Sequence, residues 1–156
     1  DLLPELSERD QALLQHGLHL GIVMNEFQES FTRGDFLISN VIGARPDDDA
    51  LAIGNLVRVG QTVQFHVRDA QTAHEDLEQL LAADSEANVV EPRAGLLFSC
   101  NGRGTRLFSE PNHDAGVIQQ LCGPIPLAGF FAQGELGPVG NTNHVHGFTA
   151  SVALFE

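Results

Sequence analysis

Few cysteines and short apolar runs exclude two classes of protein from the outset. Two cysteines in 156 residues are too few for a disulfide framework, which favours a reducing, cytoplasmic setting. Because no apolar run approaches ~18 residues, the sequence predicts no membrane span. No basic, apolar leader opens the chain, so no signal peptide is predicted.

Lysine is missing altogether, and eight arginines carry all of the fixed positive charge. They stand against 21 acidic residues, which gives a formal net charge of −13 with histidine neutral. A field this negative repels phosphate backbones and anionic lipid headgroups. Nucleic acids and membrane surfaces are therefore not expected as partners.

The hydrophobic pattern predicts an α/β (α+β) fold with a single mixed parallel/antiparallel sheet and helices packed on it. Leu13, Leu14, Leu18 and Ile22 recur at helical spacing after the candidate N-cap Ser7, so a first helix is expected over residues 8–25. Further helices are predicted over 70–83 and 113–121. Strands are predicted over 36–42, 51–53, 62–68, 94–99, 127–131 and 148–155.

Two right-handed crossovers would make the strands over 62–68, 94–99 and 127–131 parallel. Their carboxyl ends would then share one edge of the sheet, where ligands favour binding. A final antiparallel strand would bring its own start to the same edge. The polar segments expected there are Arg68-Asp69, residues 100–104, residues 133–135 and residues 144–147.

The chemistry of these segments points to a small ligand, although each also has a purely structural interpretation as a helix start, a turn or a solvated acid. Arg103 between two glycines lets backbone N–H groups and a guanidinium face one anion. The P-loop and Rossmann glycine patterns are both absent. His144 and His146 lack a third ligand with clear spacing, so no metal is predicted. The acidic run over 47–49 departs from a calcium loop and predicts a hairpin turn.

Cys100 and His146 raise the alternative of a thiol-dependent enzyme of acyl or amide chemistry. A thiolate would need a nearby base, and glycine amides would supply an oxyanion hole. Against this, a cysteine at the end of an apolar strand is usually buried packing.

Several segments together resemble the C-terminal part of the FIST family, the F-box and intracellular signal transduction proteins. They are LFSCNGRG (97–104), IPLAGFFAQGE (125–135) and HGFTAS (146–151), with VRVGQ (57–61) and FHVRDA (65–70). The resemblance implies an intracellular sensory domain over residues 1–156 that binds a small ligand such as an amino acid and acts on a signalling partner. It also implies a FIST N-terminal domain upstream, which agrees with a chain that starts at Asp1 rather than Met. It implies no cofactor and no catalytic residues.

The motif residues are the candidate ligand-binding positions. Arg103, with Arg68, is suited to hold a carboxylate, and Glu135 is suited to take an ammonium group. The full set is Arg68, Asn101, Gly102, Arg103, Gly104, Gln133, Glu135 and His146. A third interpretation is a structural or assembly domain that docks on the upstream domain.

Overall fold

The computed structural model describes residues 6–88, 90–139 and 142–156 of the chain. Contacts divide the chain into two compact units, Asp1–Arg68 with Pro138–His144 and Asp69–Gly137 with Val145–Glu156. The predicted α/β class is confirmed, with helices packed against sheets. The described strands are divided among three sheets, one of them mixed parallel and antiparallel, whereas a single sheet was predicted. One ligand-binding domain over residues 1–156 stays a prediction.

The first unit is built on a four-stranded antiparallel sheet. Its elements are helix α1 (Glu8–Leu14) and strands β1 (Leu18–Val23), β2 (Phe36–Arg45), β3 (Ala50–Ile53) and β4 (Val63–Val67). The strand order is β3-β2-β1-β4. Ser7 caps α1 as predicted, since its hydroxyl oxygen accepts a hydrogen bond from the Asp10 N–H at 3.1 Å. The predicted hairpin turn is a short 3-10 turn, Pro46–Asp48, between β2 and β3.

The predicted first helix over residues 8–25 is wrong beyond its first two turns. Helix α1 ends at Leu14, and after Gly17, whose φ is +127°, the chain continues as strand β1. β1 is central in its sheet, and residues 19–23 are all buried. A strand buried on both faces has a nearly continuous apolar sequence, so the spacing of Leu18 and Ile22 also fitted a helix.

The second unit carries the mixed sheet and two helices. Its elements are helix α2 (Ala70–Ala87), strand β5 (Ala94–Cys100), helix α3 (His113–Cys122), strand β6 (Leu127–Ala132) and the last strand, Ala150–Phe155. Two further strands, β7 (Glu135–Val139) and β8 (Thr142–His146), pair with each other in the region predicted as a glycine-rich loop. The last strand is therefore β9.

Strand β5 lies at the centre of the mixed sheet, with β6 parallel on one side and β9 antiparallel on the other. This arrangement confirms the predicted crossover through α3 and the antiparallel final strand. The predicted third parallel strand is wrong, because β4 pairs antiparallel with β1 in the first unit. Because residues 18–23 were assigned to a helix, the prediction lacked the strand with which β4 pairs.

Both helices of the second unit cover the same face of the mixed sheet. Ile118 on α3 is completely buried at the centre of this core. The other members come from α2, α3, β5, β6, β9 and the segment between α3 and β6: Leu77, Leu81, Val117, Ile125, Leu97, Cys122, Leu127, Val152 and Leu154. None of the helices formed by the described residues combines the length and apolar character needed to cross a bilayer.

Gly129 allows the closest approach between β5 and β6. Its φ is +156°, and a Cβ at this position would overlap the backbone carbonyl of Leu97, its partner in the parallel register. Gly116 on α3 differs, because a Cβ there would meet nothing within 4 Å. Because the Leu97 backbone cannot move away as a flexible side chain can, position 129 requires glycine and position 116 does not.

We expect Gly129→Ala to lower the free energy of unfolding by roughly 2 kcal/mol or more. The matched variant Gly116→Ala should raise it by about 1 kcal/mol, because alanine favours a helix interior. Urea unfolding of the two variants measures both effects. Equal stability of the two variants would contradict the close approach of β6 to β5.

His19 and His66 are cross-strand neighbours on β1 and β4. Burial lowers the pKa of both side chains, and the positive charge of Arg68 lowers the pKa of His19 further. The folded first unit therefore favours both rings in their neutral form.

We expect the free energy of unfolding to fall as the pH drops below 6.5, the ordinary pKa of these histidines. Above that pH their contribution is complete; below it the unfolded chain binds protons that the folded chain resists, until the lowered folded-state pKa values are reached. Urea unfolding on both sides of pH 6.5 measures this slope. His66→Phe should flatten it; an unchanged slope in His66→Phe would contradict the assignment.

Candidate functional site

A buried ion pair joins the loop after β5 to the first turn of α3. The Arg103 Nε donates to Asp114 Oδ2 at 2.8 Å, and Nη2 donates to Oδ1 at 2.7 Å. Each side chain is only 6% exposed. Such a two-point contact fixes direction as well as distance, so the loop and the helix are held in one relative position.

Asp114 has two further partners. The Ser99 hydroxyl on β5 donates to Oδ2 at 2.6 Å, and Nδ1 of His113 lies 3.0 Å from Oδ1. Burial alone would raise the pKa of Asp114, but the hydrogen bonds from Arg103 and Ser99 and the arginine charge outweigh it and lower the pKa to about 2. Asp114 is therefore ionised at neutral pH and accepts from all three groups.

Arg103 also holds the turn that precedes β9. Its Nη1 donates to the Phe148 carbonyl at 3.3 Å, and its guanidinium carbon lies 5.2 Å from the centre of the Phe108 ring. The guanidinium, predicted as a ligand contact, thus has an internal carboxylate on one edge and a carbonyl on another. Direct contact of Arg103 with a ligand stays a prediction.

Most of the predicted site residues meet at the carboxyl ends of β5 and β6. The Asn101 N–H donates to the Ala132 carbonyl at 2.7 Å, which places the 101–104 loop beside Gln133. Gly104 has a φ of +59°, and a Cβ there would lie 3.1 Å from the Phe131 ring. Gly102 is buried, and Asn101 and Gln133 are exposed. Arg68 belongs to the first unit, and its part in the site stays a prediction.

Glu135 is a buried carboxylate with an incomplete set of partners. It is 4% exposed, and its Oε2 accepts from the Thr149 hydroxyl at 2.9 Å. Its Oε1 is buried and has no hydrogen-bond partner among the described residues. A buried carboxylate oxygen without a hydrogen bond lowers the stability of the fold unless a hydrogen-bond donor or a cation binds to it.

Cys100 and His146 form hydrogen bonds with different backbone groups. The Cys100 thiol is 7% exposed, and its sulfur accepts from the Gly102 N–H at 3.4 Å. Nε2 of His146 donates to the Gly137 carbonyl at 2.9 Å, a structural bond between β8 and β7. The described residues give the thiol no hydrogen bond to this imidazole, which the alternative thiol enzyme requires.

A cavity of about 420 Å³ opens between β6, β5 and the start of α3. Its apolar wall includes Leu97, Leu127 and Phe131, and its polar wall includes Ser99 and His113. Gly104, Asn112, Asp114, Ala115, Ala128, Gly129 and Phe130 complete the lining. A cavity of this volume suits one small organic molecule.

The positive end of α3 faces this cavity. Asn112 precedes the helix in a left-handed conformation, with φ +59°, and its side chain does not cap the helix. The first-turn N–H groups of residues 113–115 have no acceptor within the helix by geometry. They carry partial positive charge and favour an anion or a carbonyl oxygen in the cavity.

Asp114 and His113, which line the cavity, were missed as site residues. The available signal was a polar residue on an apolar helix face: Asp114 precedes Val117 and Ile118 by three and four positions. Among the residues that the structure describes, no group of three or more His, Cys, Asp or Glu side chains is arranged to hold a metal ion.

Comparison with known proteins gives one family and several relatives. The family model of the FIST C domain matches residues 1–138. The chain is 51% identical over 146 residues to an uncharacterized protein of Mycobacterium tuberculosis, covering 94% of the chain and 38% of that protein. It is 47% identical over 156 residues to an uncharacterized protein of Mycobacterium bovis, covering 99% and 40%. Human F-box only protein 22 is 31% identical over 100 residues, covering 58% and 24%.

The ion pair allows a direct test of what holds this region. We expect Arg103→Ala to lower the free energy of unfolding by about 3–5 kcal/mol, because it leaves the buried Asp114 charge uncompensated. Arg106→Ala removes an exposed arginine from the same loop and should change stability by less than about 0.5 kcal/mol.

The double variant Arg103→Met/Asp114→Leu separates charge from packing. It should recover most of the loss, since no unpaired charge remains. Urea unfolding of the parent, Arg103→Met, Asp114→Leu and the double variant gives the coupling energy of the pair. A loss in Arg103→Ala no greater than in Arg106→Ala would show that the ion pair does not hold the loop.

Proposed function

Since the chain belongs to the FIST C domain family, we propose that it is a sensory domain that binds a small carboxylate, such as an amino acid, and signals its presence to a partner protein. The chain spans about 40% of the length of the mycobacterial relatives. The proposal therefore includes a FIST N-terminal domain of the same protein as a second partner. We also propose a cytoplasmic setting, as the low cysteine content favours.

The cavity beside α3 is the observation that carries the proposal. It combines an apolar wall, with Leu97, Leu127 and Phe131, and a polar end at Ser99 and the first turn of α3. This division suits a ligand with a short hydrocarbon body and one polar head. The helix N-terminus makes a carboxylate the favoured head, because the free N–H groups donate to it and the helix dipole attracts it.

The Arg103–Asp114 pair supports an anionic ligand indirectly. Asp114 lines the cavity, and an isolated carboxylate there would repel a second one. The guanidinium of Arg103 neutralises it through two hydrogen bonds. In this proposal Arg103 shapes and neutralises the wall of the cavity, and the helix N–H groups bind the ligand's carboxylate.

Glu135 does not line this cavity. Its proposed contact with a ligand ammonium group therefore rests on the family motif and on the Oε1 atom that has no hydrogen-bond partner among the described residues. Asn101, Gly102, Gln133 and His146 are proposed as neighbouring contacts on the grounds of the family motif.

The test is a thermal-shift series with three related compounds: leucine, isocaproate, which lacks the ammonium group, and isoamylamine, which lacks the carboxylate. At ~100 times the dissociation constant a ligand stabilises by ~2.7 kcal/mol. We expect a shift with leucine and a smaller one with isocaproate, and none with isoamylamine. Glu135→Gln should make the shifts with leucine and isocaproate equal.

A matched pair of variants on α3 tests the location. Ala115 lines the cavity, so Ala115→Leu should fill it and abolish the shift, whereas Gln120→Leu, on the exposed face, should leave it unchanged. A shift that survives in Ala115→Leu would place the ligand elsewhere. No shift in a wider set of amino acids and short carboxylates would favour the alternative of an assembly domain.

A further inference from the structure

Strand β9 forms one edge of the mixed sheet, and its outer side has no partner strand among the described residues. The Cys100 N–H donates to the Thr149 carbonyl at 2.9 Å, and these two residues lie opposite each other when the β5–β9 register is continued by one pair. Bonded and non-bonded pairs alternate along an antiparallel ladder. The backbone N–H and C=O groups of Ala150, Val152 and Leu154 therefore point away from β5.

The hydrogen bonds of β5 agree with this orientation. Gly95 lies opposite Leu154, and its N–H donates to the Pro126 carbonyl, on the side of β6, at 2.9 Å. Because this N–H points to β6, the pair with Leu154 is one of the non-bonded pairs. The outer edge of β9 thus offers the backbone donors and acceptors of three alternate residues.

The sequence of β9 has none of the usual protections of an edge strand. ASVALF (150–155) contains no charged residue and no proline. Its register with β5 is continuous, without a bulge. Proteins place charges, prolines or bulges on edges that must not pair with another chain. Their absence from β9 leaves this edge available to an additional strand.

A cavity of about 290 Å³ lies along β9. Helix α2 lines it with Leu77, Leu80 and Leu81, and β9 lines it with the side chains of the three residues whose backbone groups point outward. Leu80 is 62% exposed, although it belongs to this apolar wall. An added strand would lie about 4.8 Å from β9. Residues directly opposite each other share a face of the sheet, so every second side chain of that strand would enter the cavity.

The polar part of the cavity wall is acidic. Asp84 near the end of α2 and Glu156 after β9 supply two carboxylates, and none of the residues that line the cavity is cationic. The whole chain has a formal net charge of −13. A second copy of the chain would bring more negative charge to this edge, whereas a segment that carries arginine or lysine would neutralise the two carboxylates.

We propose that β9 and this cavity bind an extended segment of a partner protein, which joins the sheet as an antiparallel strand. The segment has apolar side chains at every second position and basic residues at its ends. Backbone hydrogen bonds supply affinity in this mode of recognition, and the side chains that enter the cavity supply specificity.

This inference gives a chemical description to the signalling partner of the proposed function and rests on it in that respect. It does not depend on the small carboxylate, because the cavity along β9 shares no lining residue with the cavity beside α3. Failure of the peptide test therefore leaves the ligand proposal intact, and failure of the ligand series leaves the peptide proposal intact.

The test is fluorescence anisotropy with the fluorescein-labelled peptide Arg-Val-Thr-Val-Thr-Val-Arg, amidated at its C-terminus. We expect it to bind at least about tenfold more tightly than the same peptide with Glu in place of both Arg. Leu80→Ser, in the cavity wall, should weaken binding at least about tenfold. Leu121→Ser, on α3 outside the cavity, should leave it unchanged; both leucines are substantially exposed, so both variants should keep the circular dichroism spectrum of the parent.

Backbone methylation of the peptide separates strand addition from apolar contact alone. In an antiparallel strand whose valines enter the cavity, the valine N–H groups point to β9 and the threonine N–H groups point away from it. N-methylation of the central valine should therefore abolish binding, and N-methylation of one threonine should not.

Hydrogen exchange identifies the edge that is bound. The peptide should slow exchange of the Ala150, Val152 and Leu154 amides at least about tenfold, and leave those of Ser151 and Ala153, which point to β5, unchanged. Three results would overturn the proposal: no binding of the arginine peptide, equal binding by Leu80→Ser and Leu121→Ser, or outward amides that are already protected before the peptide is added. In the last case, a dimer in sedimentation velocity would identify a second copy as the occupant.

Discussion

The buried contact between Arg103 and Asp114 is the constraint on which the second unit's polar edge depends. It ties together three segments that are distant in sequence: the loop after β5, the start of α3 and the turn before β9. Each charge would be costly in this location by itself. Ser99 and His113 also contact the carboxylate, so the loop is held in place by electrostatics as well as by packing.

This constraint also separates the two kinds of surface that meet at the cavity. On one side of the ion pair, α2 and α3 pack on β5, β6 and β9 around Ile118, in a cluster of apolar side chains. On the other side, the first turn of α3, which has no side-chain cap, and the His113 ring offer hydrogen-bond donors and acceptors to the cavity. The cavity lies at the boundary, where apolar side chains end and saturated polar groups begin. Such a boundary gives a small amphipathic molecule both contact area and orientation.

Local patterns were sufficient for most elements of the second unit. The strands over 94–99 and 127–131 and the helix over 113–121 differ from the observed bounds by one residue at most. Errors arose where one pattern fits two structures. The segment 18–23 has apolar residues at spacings that suit a helix, but two neighbouring strands pair with it along both edges, and residues 19–23 are buried. That single error removed the partner of β4 and assigned this strand to the wrong sheet.

The amino-acid sequence by itself determined the family, the α/β class and the placing of the 101–104 loop and Glu135 at the carboxyl end of the parallel strands. These properties follow from short-range patterns and from strand direction. Only the tertiary structure decided that Arg103 has an internal partner in Asp114, and that Glu135 keeps an oxygen with no hydrogen-bond partner in the part of the chain that the structure describes. The physical reason is that the partner of a buried polar group is set by the packing of distant elements, and no local spacing encodes that packing.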